Sequence, residues 1–306
     1  MKKKKEKNNF SQKIIVILGP TASGKSDLAV FLAKKFGGEV ISADSRQVYK
    51  GMNLGTGKIT KKEMQGIKHH LLDVASPKRR FTVSQFVNLA KKAIKEIFKK
   101  KKIPIICGGT AFYIKALTEG LKFPQVKPDW KLRKELEKKD KKELFNLLKK
   151  LDPERAKTIE KENPRRLIRA IEVVLKTGKK NPKLEKEPLE FPILYLGIKK
   201  DKEELKKAIA KRLEKRLKQG MIKEVKRLHE KEGLSWKRLE SLGIEYKWTA
   251  KFLQGKTSYQ EMVENIVKYS LKFAKKQMTW WKKDNRIYWV RNKKEAEKLV
   301  REFLNQ

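Results

Sequence analysis

The stretch "ILGPTASGKSDL", Ile17–Leu28, decides the fold. Gly19 is followed by four residues and then by Gly24-Lys25-Ser26, the spacing of the phosphate-cradling loop. Directly upstream, "KIIVILG" (Lys13–Gly19) is a β-branched run closed by glycine, the pattern of a buried parallel strand. Directly downstream, Leu28, Phe31, Leu32 and Lys35 recur at helical spacing, predicting a helix over Ser26–Phe36 that Gly37-Gly38 ends. Strand, loop and helix are the context the motif requires. In that context the amides of Gly19, Pro20, Thr21, Ala22, Ser23, Gly24, Lys25 and Ser26 (proline excepted) surround an anion at a helix N-terminus. Lys25 is placed to neutralise the outer phosphate, and Ser26 to ligate Mg²⁺. Most chains with this loop bind a nucleoside triphosphate. Whether this one does depends on the rest of the chain.

Outward from the loop, "EVISADS" (Glu39–Ser45), "KIPIICGG" (Lys102–Gly109) and "FPILYLGI" (Phe191–Ile198) read as further strands. Thr82-Val83-Ser84-Gln85 fits a capping box, and Phe86, Leu89, Ala90, Ala93, Ile94, Ile97 and Phe98 trace one apolar helical face. Strands alternating with helices predict an α/β fold: a P-loop NTPase-like parallel sheet flanked by helices. Between Gly120 and Pro192 no strand-like run appears. Helices are expected at Trp130–Lys139, Lys141–Leu151 and Pro164–Thr177, the last with a buried stripe of Leu167, Ile171, Val174 and Leu175. Residues 121–189 are therefore a helical insertion, and 13–120 with 190–306 form the core. Beyond it, single helices are expected over Lys202–Glu232, Trp236–Leu253 and Tyr259–Lys283, then a short "RIYWV" and a last amphipathic helix.

Lys and Arg number 79 against 36 Asp and Glu, a net charge of +43 over 306 residues. Such an excess repels itself, and a polyanion relieves it; nucleic acid is the expected partner. Lysine bias spread over solvated faces is the plainer alternative. Cys107 is the single cysteine, which excludes a disulfide framework and a zinc ribbon. No apolar run approaches the roughly 18 residues of a membrane span. The basic start, "MKKKKEKNNF", leads into no signal-peptide core, so residues 1–12 read as a disordered tail and the protein as cytoplasmic.

The third strand ends in Cys107-Gly108-Gly109-Thr110, without the acidic residue that partners a phosphate loop in ATPase motors. This favours a transferase. The carboxylate at hand is Asp44, ending the second strand and so facing the ligand crevice. There it can take a proton from a nucleophile or order a metal's water shell. Asp also favours turns, and a loop-capping role stands beside the catalytic one. Gln47 carries an amide able to pair with an adenine edge in two places. Thr110 offers a hydroxyl at another crevice loop. In "NPRRLIRAIEVVLKTG", Asn163 caps a helix that Gly178 ends, and Arg165 and Arg169 share a flank suited to a phosphate backbone or simply to solvent. His69-His70 suggests a metal pair, but neighbours on a strand point apart and no third ligand is near; both read as structural. Trp280-Trp281 and Tyr288-Trp289 read as packing residues more than as base-stacking platforms, although "AKKQMTWWKK" is a basic setting that suits stacking too.

Taken together, "GPTASGKS", "SADSRQVYKGMNLGTGK", "HHLLDV" followed by "FTVSQF", "GGTAFYIKAL", "NPRRLIRAIEV" and "AKKQMTWWKK" resemble the tRNA dimethylallyltransferase (isopentenyltransferase) family, in the family's order over most of Ile14–Lys283. The resemblance implies transfer of a dimethylallyl group from dimethylallyl diphosphate to the exocyclic N6 amine of the adenosine 3′ to the anticodon of tRNA. The loop would then hold a diphosphate leaving group. By the same resemblance Lys25, the loop amides, Arg212 and Mg²⁺ near Ser26 stabilise that group, and Asp44 accepts the amine proton. Ser45, Arg46 and Gln47 line the adenine's seat, Thr110 contacts the nucleotide, and Arg133, Arg165, Arg166 and Arg169 touch tRNA. It implies no obligate protein partner, hence a monomer. Ser26 stands where the family often has Thr, "SLGIEYKWTA" carries extra residues, and Lys276 replaces a usual Arg. A P-loop kinase of a small metabolite leaves the helical insertion and the charge unexplained. A non-catalytic RNA-binding protein leaves Asp44 and the intact phosphate loop unexplained.

Overall fold

The computed structural model describes residues 12–182 and 185–306; the basic tail expected over residues 1–12 lies, up to residue 11, outside the described residues. By internal contacts the chain divides into two compact units, one of residues up to Thr118 with Leu189–Gln306, the other Glu119–Pro188.

In the first unit six described strands form one all-parallel sheet. They are β1 (Ile14–Leu18), β2 (Gly38–Ser42), β3 (His69–His70), β4 (Ile103–Cys107), β5 (Ile193–Ile198) and β6 (Ile287–Val290), in the order β3-β2-β4-β1-β5-β6. Every residue of β1, β2 and β4 is buried. A parallel sheet covered on both faces needs this, which is why these strands read as continuous apolar runs. The expected α/β class holds, although each strand is a residue or more shorter than its apolar run. Ile15, Ile17, Ile105 and Leu196 pack with Leu28, Leu32 and the C-terminal helix residues Ala296 and Val300 on one face.

The capping box at Thr82 forms as expected, and the Val83–Lys99 helix buries Phe86, Ala90, Ala93, Ile94, Ile97 and Phe98. Two expected helices are each broken. Gly220, at φ 97°, separates Lys202–Lys218 from Met221–Glu230, and Gly243, at φ 146°, separates Trp236–Glu240 from Ile244–Leu253. Apolar periodicity continued through both glycines and hid the breaks. "RIYWV" proves to be an edge strand of the sheet. Ile287 and Val290 are buried while Tyr288 is 55% exposed. Trp281 is buried and Trp280 is not, because consecutive helix residues point about 100° apart. Packing therefore explains Trp281 but neither Trp280 nor Tyr288.

The second unit is helical over Trp130–Leu136, Lys141–Leu151, Pro153–Thr158 and Pro164–Thr177. Leu136, Leu144, Leu148, Leu167, Ile168 and Ile171 form its core. Asn163 and Gly178 cap the last helix as expected. Leu167, Ile171 and Val174 of the expected stripe are buried; Leu175 is half exposed, and Val173 is buried instead.

Candidate active site

Three loops leave the carboxyl ends of β1, β2 and β4 side by side, where a parallel sheet forms its ligand crevice. The first is the phosphate loop. Gly24 sits at φ 93° as the N-cap of the Lys25–Phe36 helix and brings no capping side chain, so the first amides of that helix are left for an anion. The second starts at Ala43-Asp44. The third is Gly108-Gly109-Thr110. It lies so close to the second that a Cβ on Gly108 would meet the Ala43 carbonyl oxygen at 2.2 Å. Two bonds stitch these loops together: Thr110 N–H donates to the Ala43 carbonyl (3.2 Å), and Ser45 N–H donates to Thr110 Oγ1 (3.0 Å).

Thr21, Lys25, Ser26, Asp44, Gln47 and Arg212 line one cleft. The structure thus brings the phosphate loop, the acidic strand end and the arginine of the Lys202–Lys218 helix together. Lys25 Nζ donates to the Pro20 carbonyl. Burial, with Arg212 beside it, lowers Lys25 to about 8, while the charge of Asp44 works the other way. Burial and the neighbouring Arg216 lower Arg212 to about 10. Arg216 pairs with Glu245 at 3.2 Å, whereas Arg212 makes no hydrogen bond or ion pair among the described residues. Two cations with few carboxylates to answer them share this cleft, an arrangement suited to an anion.

Of the parts left open by the sequence, Asp44 takes the capping one, and it also reaches the cleft. Its Oδ1 accepts the amides of Arg46 (2.7 Å) and Gln47 (3.2 Å), capping the turn, and its carboxylate also lines the cleft. Gln47 donates through Nε2 to the Gly57 carbonyl at 3.2 Å. A two-point pairing with adenine requires that bond to be given up; Oε1 is the group left for a ligand. Thr110 and Ser45 are engaged with each other, and Arg46 is partly exposed nearby.

The histidines point apart as expected. His70 Nε2 contacts Glu39 Oε2 at 2.8 Å. His69 hydrogen-bonds through Nδ1 to the Ile67 carbonyl, so Nδ1 carries the proton, and burial holds the ring below its ordinary pKa and neutral. Its Nε2 is buried without a partner, and the ring lines the cleft.

Several residues that sequence reasoning missed also build the cleft. Gln277 is 5% exposed; its Oε1 accepts Thr21 N–H (2.9 Å) and its Nε2 donates to the Gly109 carbonyl (2.7 Å). It lies within "AKKQMTWWKK", where a lone glutamine among lysines gives no sign of facing inward. Thr56 and Gly57 form a wall. That wall is anchored by Glu224, whose carboxylate accepts the amides of Asn53, Leu54 and Gly55 and the Tyr246 hydroxyl at 2.7–3.0 Å.

The arginines expected to touch RNA divide into two kinds. In the helical unit, Glu172 is fully buried; Arg133 forks onto it at 2.6–2.7 Å and Arg169 bonds it too. Arg169 also donates to the carbonyls of Pro124 and Val126. Burial pushes the Glu172 carboxyl up, but bonds from Arg133, Arg169 and the Asp129 amide hold it below its ordinary value. Arg165 and Arg166 are exposed; Arg166 makes a surface pair with Glu160 at 3.3 Å.

A phosphate loop, an acidic strand end and two cations at the carboxyl edge of a parallel sheet mark an α/β core of P-loop-like type. A family model described as IPP transferase matches residues 47–284. A tRNA dimethylallyltransferase of Acetivibrio thermocellus is 41% identical over 299 residues, covering 94% of this chain and 95% of that protein. The crystal structure of a tRNA isopentenylpyrophosphate transferase from Bacillus halodurans superposes with a TM-score of 0.72 at 31% identity, covering 96% of this chain and 97% of that one. A eukaryotic dimethylallyltransferase, captured acting on tRNA, gives a TM-score of 0.78 at 30% identity, covering 92% of this chain and 74% of that one. The chain belongs to the IPP transferase family.

Proposed function

We propose that this protein transfers the dimethylallyl group of dimethylallyl diphosphate to the exocyclic N6 of the adenosine 3′ to the anticodon in tRNA. The observation that carries the reading is the cleft itself. Lys25 and Arg212, cations lacking a full set of carboxylates, share it with the carboxylate of Asp44.

The chemistry follows from that arrangement. The N6 lone pair attacks C1 of the dimethylallyl group, the C1–O bond breaks, and its electron pair leaves with diphosphate. Lys25, Arg212 and the amides of Gly19–Ser26 stabilise the charge on the leaving group. Asp44 accepts the proton from N6, its Oδ1 kept in place by the amides of Arg46 and Gln47. The adenine enters unstacked, as a flipped base in an RNA loop. Gln47, Ser45, Arg46 and Thr110 frame its seat.

Mg²⁺ is the cofactor of this reading. The Ser26 hydroxyl and Asp44 carboxylate offer oxygen atoms in the cleft. Such oxygens fit Mg²⁺, a hard cation that keeps several waters and takes phosphate oxygens beside one or two protein ligands. When bound it would offset charge on the diphosphate. RNA binding through Arg165 and Arg166, and a monomer acting in the cytoplasm, complete the reading. No described helix is long and apolar enough to cross a membrane.

The test is incubation with unmodified tRNA, Mg²⁺ and dimethylallyl diphosphate, followed by mass spectrometry of the nucleosides. A dimethylallyl adenosine is expected, and none with Asp44→Asn, which keeps the capping oxygen and removes the base. Thermal stabilisation by ATP and not by dimethylallyl diphosphate would instead support a kinase.

A further inference from the structure

The Tyr259–Trp281 helix presents Tyr269, Phe273 and Gln277 four residues apart, hence on one face. Gln277 is buried between the phosphate loop and the Gly109 turn. Phe273 lines the same cleft yet is 44% exposed, and it has no aromatic partner among the described residues. Tyr269, one turn further out, is 38% exposed and stacks on Trp248 with ring centroids 5.5 Å apart. Cations crowd these outer rings. Lys272 Nζ lies 5.2 Å from the Tyr269 ring centre, and Lys251 and Lys247 lie 4.8 and 5.6 Å from that of Trp248.

The face therefore runs from the chemistry outward as amide, bare ring, then ring with lysines. A large apolar ring open to water at the edge of a charged cleft loses burial energy unless a ligand covers it. Tyr288, also exposed, lies off this helix on the edge strand Ile287–Val290. Aromatic faces interleaved with lysines are what unpaired nucleotides bind: each base stacks on a ring while its phosphate meets a cation.

We propose that Phe273 and Tyr269 form a two-rung stacking platform for the unpaired RNA nucleotides that flank the target adenine. Phe273, at the lip, takes the nearer base. Tyr269, backed by Trp248, takes the next one out, with Lys272 on the backbone. This rests on the reading of the protein as a tRNA-modifying enzyme.

The probe is an anticodon stem-loop carrying 2-aminopurine, a fluorescent base quenched by stacking, at single positions beside the target adenosine. The parent protein should quench it. Phe273→Leu should remove quenching next to the target, and Tyr269→Leu further away. Each should weaken RNA binding about five- to a hundred-fold. Neither should change the slope of affinity against salt, because no phosphate contact is lost, whereas Lys272→Ala should reduce it by about one. Tyr288→Leu is the control and should bind as the parent does. Unchanged affinity and quenching in both ring variants, with the parent still modifying the RNA, overturns the platform alone. A parent that neither binds nor modifies the stem-loop overturns the platform and the transferase reading together.

Discussion

Gln277 Oε1 accepts the backbone N–H of Thr21 at 2.9 Å, across 256 residues of sequence. The other end of the same carboxamide donates to the Gly109 carbonyl, so one side chain bridges the phosphate loop and the turn that carries Thr110. Thr110 in turn holds Ser45, next to Asp44. The phosphate loop and Asp44 are thus kept in register by a glutamine outside both.

Gln277→Leu should leave two backbone groups unpaired, at about 1–3 kcal/mol. Affinity for inorganic diphosphate with Mg²⁺, measured by calorimetry, should fall roughly 5- to 100-fold. Gln277→Glu keeps the acceptor for Thr21 but faces the Gly109 carbonyl with an oxygen, so it should rescue little. A Leu variant that binds diphosphate like the parent would show that the bridge is packing alone.

Lys25 makes the cleft sensitive to alkali. With its pKa drawn down to about 8, it loses its charge as pH rises through that value. Diphosphate favours the charged form, so affinity should decline above pH 8 and binding there should take up a proton. The stability sign is opposite. Between 8 and the ordinary lysine value of 10.5 the unfolded chain holds more protons, so the unliganded protein gains stability as pH rises. Lys25→Met should therefore abolish diphosphate binding yet raise the melting temperature at neutral pH. A variant less stable than the parent would contradict that account.

Glu39 ties the far side of the sheet together. Burial alone would raise its pKa, but hydrogen bonds from His70, Lys102 and Lys100 bring it down to about 2. A depressed carboxyl contributes stability that is present above its unfolded value and lost as pH falls toward 2. Glu39→Gln should cost on the order of 3 kcal/mol at pH 7 by urea denaturation, with the gap shrinking below about pH 4.5 and closing near pH 2. An equal gap at both pH values would assign the loss to packing.

The sheet was legible because parallel strands buried on both faces must be apolar throughout, and "KIIVILG" and "KIPIICGG" are. The phosphate loop was legible because its work is done by backbone, which leaves glycines at fixed spacing. Gln277 and Glu224 were not. Their main-chain partners lie 168 to 256 residues away, and no local pattern marks a polar side chain that serves a distant backbone. The helix breaks at Gly220 and Gly243 were hidden because apolar spacing resumed in phase beyond each glycine. The two faces of Asp44 needed coordinates to be seen at once.

The same limit applies to the arginines of the helical unit, which sequence places on one flank and structure sorts by partner. Arg169 shares the fully buried Glu172 with Arg133, so Arg169→Ala removes one of two cations from a carboxylate that cannot reach water. Breaking such a buried arrangement costs about 3–5 kcal/mol when no partner remains, and less while Arg133 stays. Arg165 is exposed, and its removal should leave folding unchanged within about 0.5 kcal/mol. For RNA the expectation reverses. Arg165→Ala should weaken stem-loop binding and lower the salt slope by about one at an unchanged melting temperature. Arg169→Ala should destabilise the helical unit, with any RNA effect tracking that loss. Melting and salt-titrated binding of both variants check this. A stable Arg169→Ala protein with a reduced salt slope would return that arginine to the RNA surface.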